Sequence, residues 1–427
     1  MDIKVFQKNL SGEVTAISSK SQAHRILIAA ALSGHLTDVV VDDTSDDIEA
    51  TRECLAQLND DIPVFNCRES GSTLRFLMPL SMALKNKAAF TGAGNLPKRP
   101  LSPLKEQMEE HGCVFSPYGN HEDTATPAAK IENGICAVEG ALRGGRFTLP
   151  GDVSSQFVTG LLYALPMLGE SSEILLSSPL QSADYVTMTL QVLEMFGIKI
   201  DVLYDGSGAE GNYAAFRVKG NQKYSFPGRI TIEGDWSNAA FWLAAGAVSQ
   251  APGAVVTCRG LNPLSSQADK KITAIIKAFG GNISRNGGDV TASRGELAGI
   301  EIDAANIPDL VPVISVIASV ASGTTRIINA ERLRIKESDR LYAICDCLAR
   351  LGADIEELPG GLRINGKDEL KGGLVSGYSD HRIVMSMAIA ALRCAEPVTI
   401  KGAEAINKSY PHFFDDFKKL GGEASAV

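Results

Sequence analysis

The chain has 427 residues, 44% of them hydrophobic and 21% charged, with a net charge of -9. That length supports two or three domains with substantial cores, and the acidic balance excludes a general affinity for nucleic acid while allowing a locally basic site. The longest apolar run, around Leu310 to Ala321, is broken by Pro312 and serines and falls short of a membrane span.

The opening MDIKVFQKN lacks the basic start and apolar stretch of a signal peptide, so a cytoplasmic protein is expected. VFQKN reads as a strand expected to return to the C-terminal half. From Lys20 onward two kinds of segment alternate. The first opens on small polar or charged residues and then turns apolar on nearly every side: Lys20 to Gly34, Ser70 to Leu84, Ser154 to Gly169, Asp235 to Ser249, Pro308 to Gly323 and Ser379 to Arg393. Helices apolar all round are buried ones, and Ser, Asp or Asn at their starts are capping residues. The second kind is amphipathic: Asp46 to Asn59, Ser102 to Phe115, Asp184 to Ile200, Ala268 to Ile283, Lys336 to Ile355 and Tyr410 to Ala424. Five of these six carry a Gly in the closing turn, where a left-handed C-terminal cap is made. Short β-branched runs such as AVVTC, TRIIN and PVTIK separate the two kinds. The alternation predicts six units of roughly 70 residues. They divide into two domains of three units, residues 18–227 in one and residues 1–17 with 228–427 in the other, the seam lying near Phe226, Pro227 and Gly228.

The run LRIKESDR, Leu333 to Arg340, sets Arg334, Lys336 and Arg340 around Glu337 and Asp339 and reads as the start of a helix whose apolar face begins at Leu341. Alone it is a solvated helix start with ordinary ion pairs. Similar residues open other helices: Lys20, Ser21 and Arg25; Gly71, Ser72 and Arg75; Ser154, Ser155 and Gln156; Ser182 and Tyr185; Asp309; Asp380, His381 and Arg382. Arg99 and Lys408 stand in loops. A helix start offers free N–H groups and a partial positive charge, which suit phosphate and carboxylate. The plainer readings are an N-cap for Ser154 and Ser155, a turn for Gly71, and surface charge for Arg99 and Lys408. Arg25 and Arg382 are harder to dismiss. Each lies in the first turn or so of an otherwise apolar helix, where an unpaired cation is costly and opposes the dipole, so an external anion is expected there. The eight cysteines and six histidines show no metal-ligand spacing, and no structural metal is expected.

SKSQAHR, ESGSTLRF, LPKRPL, GDVSSQF, SADY, IPDL, LRIKESDR, SDHR and NKSYP occur in this order along the chain. On these motifs the whole chain resembles the enolpyruvyl transferases, most closely the branch that acts on shikimate 3-phosphate. The resemblance implies an α/β (α+β) fold of two lobes, each three βαβαββ repeats, an inside-out α/β barrel that closes on substrate. It implies transfer of the enolpyruvyl group of phosphoenolpyruvate to the 5-hydroxyl of shikimate 3-phosphate with loss of phosphate, no metal or organic cofactor, no nucleic-acid or membrane partner, and a monomer. Lys20, Ser21, Arg25, Ser154, Ser155, Gln156, Ser182, Asp309 and Lys336 would hold shikimate 3-phosphate. Lys20, Gly71, Arg99, Gln156, Arg340, Arg382 and Lys408 would hold phosphoenolpyruvate. Asp309 would take the hydroxyl proton and Glu337 would protonate the methylene, with Lys20 as a third catalytic residue. Two polyanions must be brought together, which calls for several fixed cations. ISSKS stands where Pro-Gly is common in the family, Glu69 where Asn or Gly is common, and Phe76 where many members have Pro. Gly71 is retained, so sensitivity to glyphosate is expected. The sibling branch acting on a UDP-amino sugar carries a reactive Cys in the loop that here reads TGAGNLPKRP.

Overall fold

The structure is a computed structural model that describes residues 1–117, 134–206 and 212–427. The chain divides into two units, residues 20–232 and residues 1–19 with 233–427. The first holds α1 (Lys20–Leu32), α2 (Asp46–Ala56), α3 (Gly71–Leu84), α4 (Leu104–Glu110), α5 (Ser155–Ala164) and α6 (Ala183–Met195). The second holds α7 (Trp236–Val248), α8 (Ile272–Phe279), α9 (Val311–Ser319), α10 (Arg340–Arg350), α11 (His381–Ala390) and α12 (Phe413–Lys419).

The odd-numbered helices are the apolar ones. Every residue of α7, α9 and α11 is buried, and the three pack on one another at the centre of their unit. In the other unit α3 packs on α5, and α1 lies against α2 and α6. Each unit has its own continuous apolar core.

The strands explain why one helix of each pair is buried and the next amphipathic. Glu301–Asp303 runs parallel to Thr324–Ile328, with α9 crossing between them. A parallel pair needs such a crossover. The chain then passes through α10 and returns as Asp354–Leu358 and Gly361–Asn365, which add in antiparallel fashion. Among the described residues, five four-stranded sheets share this order of one parallel and two antiparallel pairings. A sixth sheet is the short parallel pair Val39–Val40 and Ile230–Thr231. Among the described residues the βαβαββ pattern is therefore present in five units, two of them completed by N-terminal strands, while the unit of α1 and α2 has only that short pair. The N-terminal strand Ile3–Phe6 sits between Val398–Lys401 and Glu423–Ala426 and completes the last sheet.

The five glycines expected to end amphipathic helices, Gly112, Gly197, Gly280, Gly352 and Gly421, all have positive φ, between 80 and 99°. The LRIKESDR run differs from its expected form. Glu331–Ile335 is a short 3-10 turn, Lys336 is extended, and α10 starts only at Arg340, with the Asp339 carboxylate accepting from Tyr342 N at 3.1 Å. The cap stops the helix from extending back, and Lys336 and Glu337 are left in an irregular turn.

Candidate active site

In the unit of residues 20–232 the polar groups gather at the starts of α1, α3 and α5. Arg25 is buried, yet each nitrogen of its guanidinium has a partner. It donates to Thr189 Oγ1 at 2.9 Å, Ser21 O at 2.7 Å and Tyr185 O at 3.0 Å. Its plane lies over the rings of Phe76, at 5.2 Å, and Tyr185, at 5.8 Å. Phe76 thus forms a floor under Arg25, and Tyr163 donates to the Arg25 carbonyl at 3.1 Å. These partners are neutral, so none of them offsets the charge. Burial pushes the Arg25 pKa down to about 10. An anion from outside would supply what these partners lack.

Lys20 is placed otherwise. Its ammonium pairs with Asp47 in the first turn of α2 at 2.7 Å. Sequence reasoning missed Asp47, because the pairing joins two helices and leaves no local pattern.

At α3 the Ser70 hydroxyl caps the helix by accepting from Thr73 N at 3.2 Å. Arg75 donates to Gln156 Oε1 at 3.1 Å and to Pro100 O at 3.0 Å, and Gln156 donates to Ser72 Oγ at 3.0 Å. Ser154 accepts from Gln156 N at 3.3 Å, which is the plain N-cap role, and Ser155 is buried behind it. Ser182 is buried with left-handed backbone, φ 56°, before α6. Gly71 lies beneath two guanidiniums. An added Cβ would stand 2.5 Å from Arg99 Nη1 and 2.7 Å from Arg75 Nη1. Both are ends of flexible side chains, so Gly71→Ala is expected to fold and to push Arg99 aside. The melting temperature should change little, which a thermal melt reads.

The second unit holds Asp309, Lys336, Glu337, Arg340, Arg382 and Lys408. Arg340 is 1% exposed and grips three carboxylates: Asp309 at 2.7 Å, Glu337 at 2.6 Å and the fully buried Asp380 at 2.8 Å. Asp380 also caps α11 by accepting from Arg382 N at 3.0 Å, and it accepts from Ser338 Oγ at 3.0 Å. Arg382 contacts the second oxygen of Asp309 at 3.2 Å. Arg382 is thus not an unpaired cation: the chain supplies a carboxylate from the turn before α9. Lys408 Nζ donates to Ser379 O at 2.5 Å, so Lys408 is buried and anchored rather than a loose surface charge.

These contacts fix the protonation states. Burial would raise the pKa of Asp309, but Arg382, Lys336 and Arg340 outweigh it and hold the carboxyl well below its usual range. Burial brings Lys336 down to about 8 against the pull of Asp309. Asp269 goes the other way, to about 7, through burial and then the nearby Asp309 charge. Ser237 donates a short hydrogen bond to its Oδ2, while Oδ1 has no partner among the described residues. Nothing in its sequence neighbourhood, SSQADKK, marked this residue. A carboxyl raised from about 3.9 to about 7 lends stability fully below pH ~4 and loses it as pH rises through 7. Asp269→Asn should melt several degrees above the parent at pH 8, and the gain should vanish near pH 4.

The family model described as EPSP synthase (3-phosphoshikimate 1-carboxyvinyltransferase) matches residues 6–417. The chain belongs to this family. Among similar proteins, the 3-phosphoshikimate 1-carboxyvinyltransferase of Clostridium perfringens is 42% identical over 97% of this chain and 96% of its own length. That of Clostridium novyi is 40% identical, covering 99% of this chain and 98% of its own. The solved EPSP synthase of Acinetobacter baumannii shares the fold at a TM-score of 0.76 and 22% identity, over the whole of both chains. The enolpyruvyl transferase NikO of Streptomyces tendae does so at 0.72 and 15%, over 99% of this chain and 98% of its own.

Proposed function

We propose that this EPSP synthase family member moves the enolpyruvyl group of phosphoenolpyruvate to the 5-hydroxyl of shikimate 3-phosphate, and that Asp309 and Glu337 carry its protons. The observation that supports these roles is that one buried guanidinium, Arg340, holds both carboxylates at 2.6–2.7 Å, with Arg382 on the other oxygen of Asp309. Two acids fixed on one cation, from different turns, can serve one substrate from two directions.

In this reading Asp309 takes the 5-hydroxyl proton as the oxygen bonds to the central carbon of phosphoenolpyruvate. Glu337, in its protonated form, delivers that proton to the methylene, which becomes a methyl. Loss of a methyl proton and departure of phosphate then restore the double bond in the product. Asp309 is ionised at neutral pH, as a base must be, but two arginines weaken its basicity. An incoming phosphate or carboxylate that draws on Arg340 and Arg382 would loosen that hold and return basicity to Asp309. Lys20, Gly71, Arg99, Gln156 and Lys408 would also serve phosphoenolpyruvate. Lys20, Ser21, Arg25, Ser154, Ser155, Gln156, Ser182, Asp309 and Lys336 would serve shikimate 3-phosphate. Arg25 has the strongest support in this second set, as a buried cation whose described partners are all uncharged.

Phosphate release from phosphoenolpyruvate tests the reading. Release is expected only when shikimate 3-phosphate is present, with no turnover on a UDP-amino sugar acceptor. Release without shikimate 3-phosphate, or none with it, would refute the assignment.

A further inference from the structure

Four buried side chains form a single line of hydrogen bonds across α1, α2 and the start of α3. His24 Nδ1 lies 2.7 Å from Thr51 Oγ1, Thr51 Oγ1 lies 2.6 Å from Thr73 Oγ1, and Thr73 Oγ1 donates to Ser70 Oγ at 2.6 Å. All four residues are at most 1% exposed. Ser70 is the cap of α3, directly before Gly71.

Proton counting fixes the direction of the line. A hydroxyl has one proton to give. Thr73 gives its proton to Ser70, so Thr51 must give its own to Thr73. The remaining contact is then made by the imidazole, which carries its proton on Nδ1 and leaves Nε2 bare. The surroundings agree. Nε2 has no partner among the described residues, and a bare nitrogen there costs less than a buried N–H with no acceptor. Burial, with the charges of Lys20 and Arg25, keeps His24 neutral by holding its pKa well below the usual value.

The line also has a parallel neighbour. Lys20 and His24 are four residues apart on α1, and Asp47 and Thr51 are four apart on α2, so the Lys20–Asp47 ion pair and the His24–Thr51 bond are successive rungs between the same helices. Thr73 extends the second rung to α3. The first turn of α3, with Gly71 beneath Arg99 and Arg75, is thereby set in register with Lys20.

We propose that His24 is a positioning residue for phosphoenolpyruvate: as the Nδ1–H tautomer it fixes, through Thr51 and Thr73, the placement of Gly71 and its arginines relative to Lys20. This rests on the reading of Lys20, Gly71 and Arg99 as phosphoenolpyruvate-binding groups. It goes beyond that reading in assigning a residue that contacts no substrate.

Two measurements test it. Ring 15N shifts of His24 in the intact wild-type protein should show Nδ1 protonated and Nε2 bare, unchanged through the pH range in which an exposed histidine titrates. An Nε2–H tautomer, or ordinary titration, would overturn the proposal whatever the kinetics. The second measurement compares His24→Asn, whose amide nitrogen can stand where Nδ1 stands, with His24→Gln, whose nitrogen cannot. The Gln variant should raise KM for phosphoenolpyruvate about five- to tenfold with kcat within about twofold, the loss of roughly one hydrogen bond. The Asn variant should stay near wild type. Equal KM values in the two variants would overturn the proposal, since a need for bulk alone favours Gln. If the Gln variant does not fold, Thr51→Val, which removes only the hydroxyl, must reproduce the KM rise, and a wild-type KM there overturns the proposal equally. A wild-type protein without turnover would sink the functional reading, while the tautomer result would stand on its own.

Discussion

Arg340→Met is expected to be the most destabilising single change in the second unit. Methionine fills much of the same volume, so packing loss is small. The loss is electrostatic: Asp380, fully buried, and Asp309 and Glu337, each under 20% exposed, lose the guanidinium that holds all three. Removing one partner of a buried ion pair costs about 3–5 kcal/mol, and here three acids are left behind. Against a typical total of about 5–15 kcal/mol, the variant should be barely folded at neutral pH. The pH dependence separates this cause from a packing defect. Without Arg340, Asp309 loses one of the cations that hold its carboxyl low and binds a proton more readily than in the parent, so the deficit should shrink as pH falls from 7 toward 5. Denaturant unfolding at both pH values reads this. A deficit that is constant with pH would place the defect in packing.

Asp309→Asn should have the largest effect on catalysis with the fold retained. The amide keeps the size of the side chain and one acceptor oxygen for Arg340 or Arg382, but it cannot take a proton at neutral pH. General-base catalysis is worth about 10²–10⁴ in rate, so kcat should fall by about that factor. Binding of shikimate 3-phosphate should weaken far less, because Arg25 and the helix starts of residues 20–232 are untouched. Turnover assays and calorimetric titration give the two numbers. A kcat within a few fold of the parent would remove Asp309 from the chemistry.

Much of this arrangement was legible in the sequence, for reasons that can be named. The buried helices α7, α9 and α11 are apolar on every side, and no other environment suits them. The glycines closing five amphipathic helices announced their left-handed caps, because other residues pay a steric penalty there. Asp309, Glu337, Arg340 and Arg382 stood out as charges beside apolar runs. Their pairings did not, because Arg340 meets Asp309 and Asp380 across 31 and 40 residues of chain. That long-range closure is why Arg382 reads as unpaired in the sequence and yet meets Asp309 in the fold. The start of α10 was placed too early because the charged run also suits a first helical turn, and only the bond from Tyr342 N to Asp339 fixes the cap. Asp47 and Asp269 left no trace, since each acts on a neighbour from another helix.

The proposed proton route through Glu337 is the core of the mechanism, and deuterium labelling reaches it directly. With both substrates in heavy water, product made by the wild-type protein should carry deuterium in its vinyl methylene, because the methylene passes through a methyl before a proton is removed. Glu337→Gln should give no such exchange. Product formed by the wild type with a fully protiated methylene, or exchange at the wild-type rate in Glu337→Gln, would contradict the route.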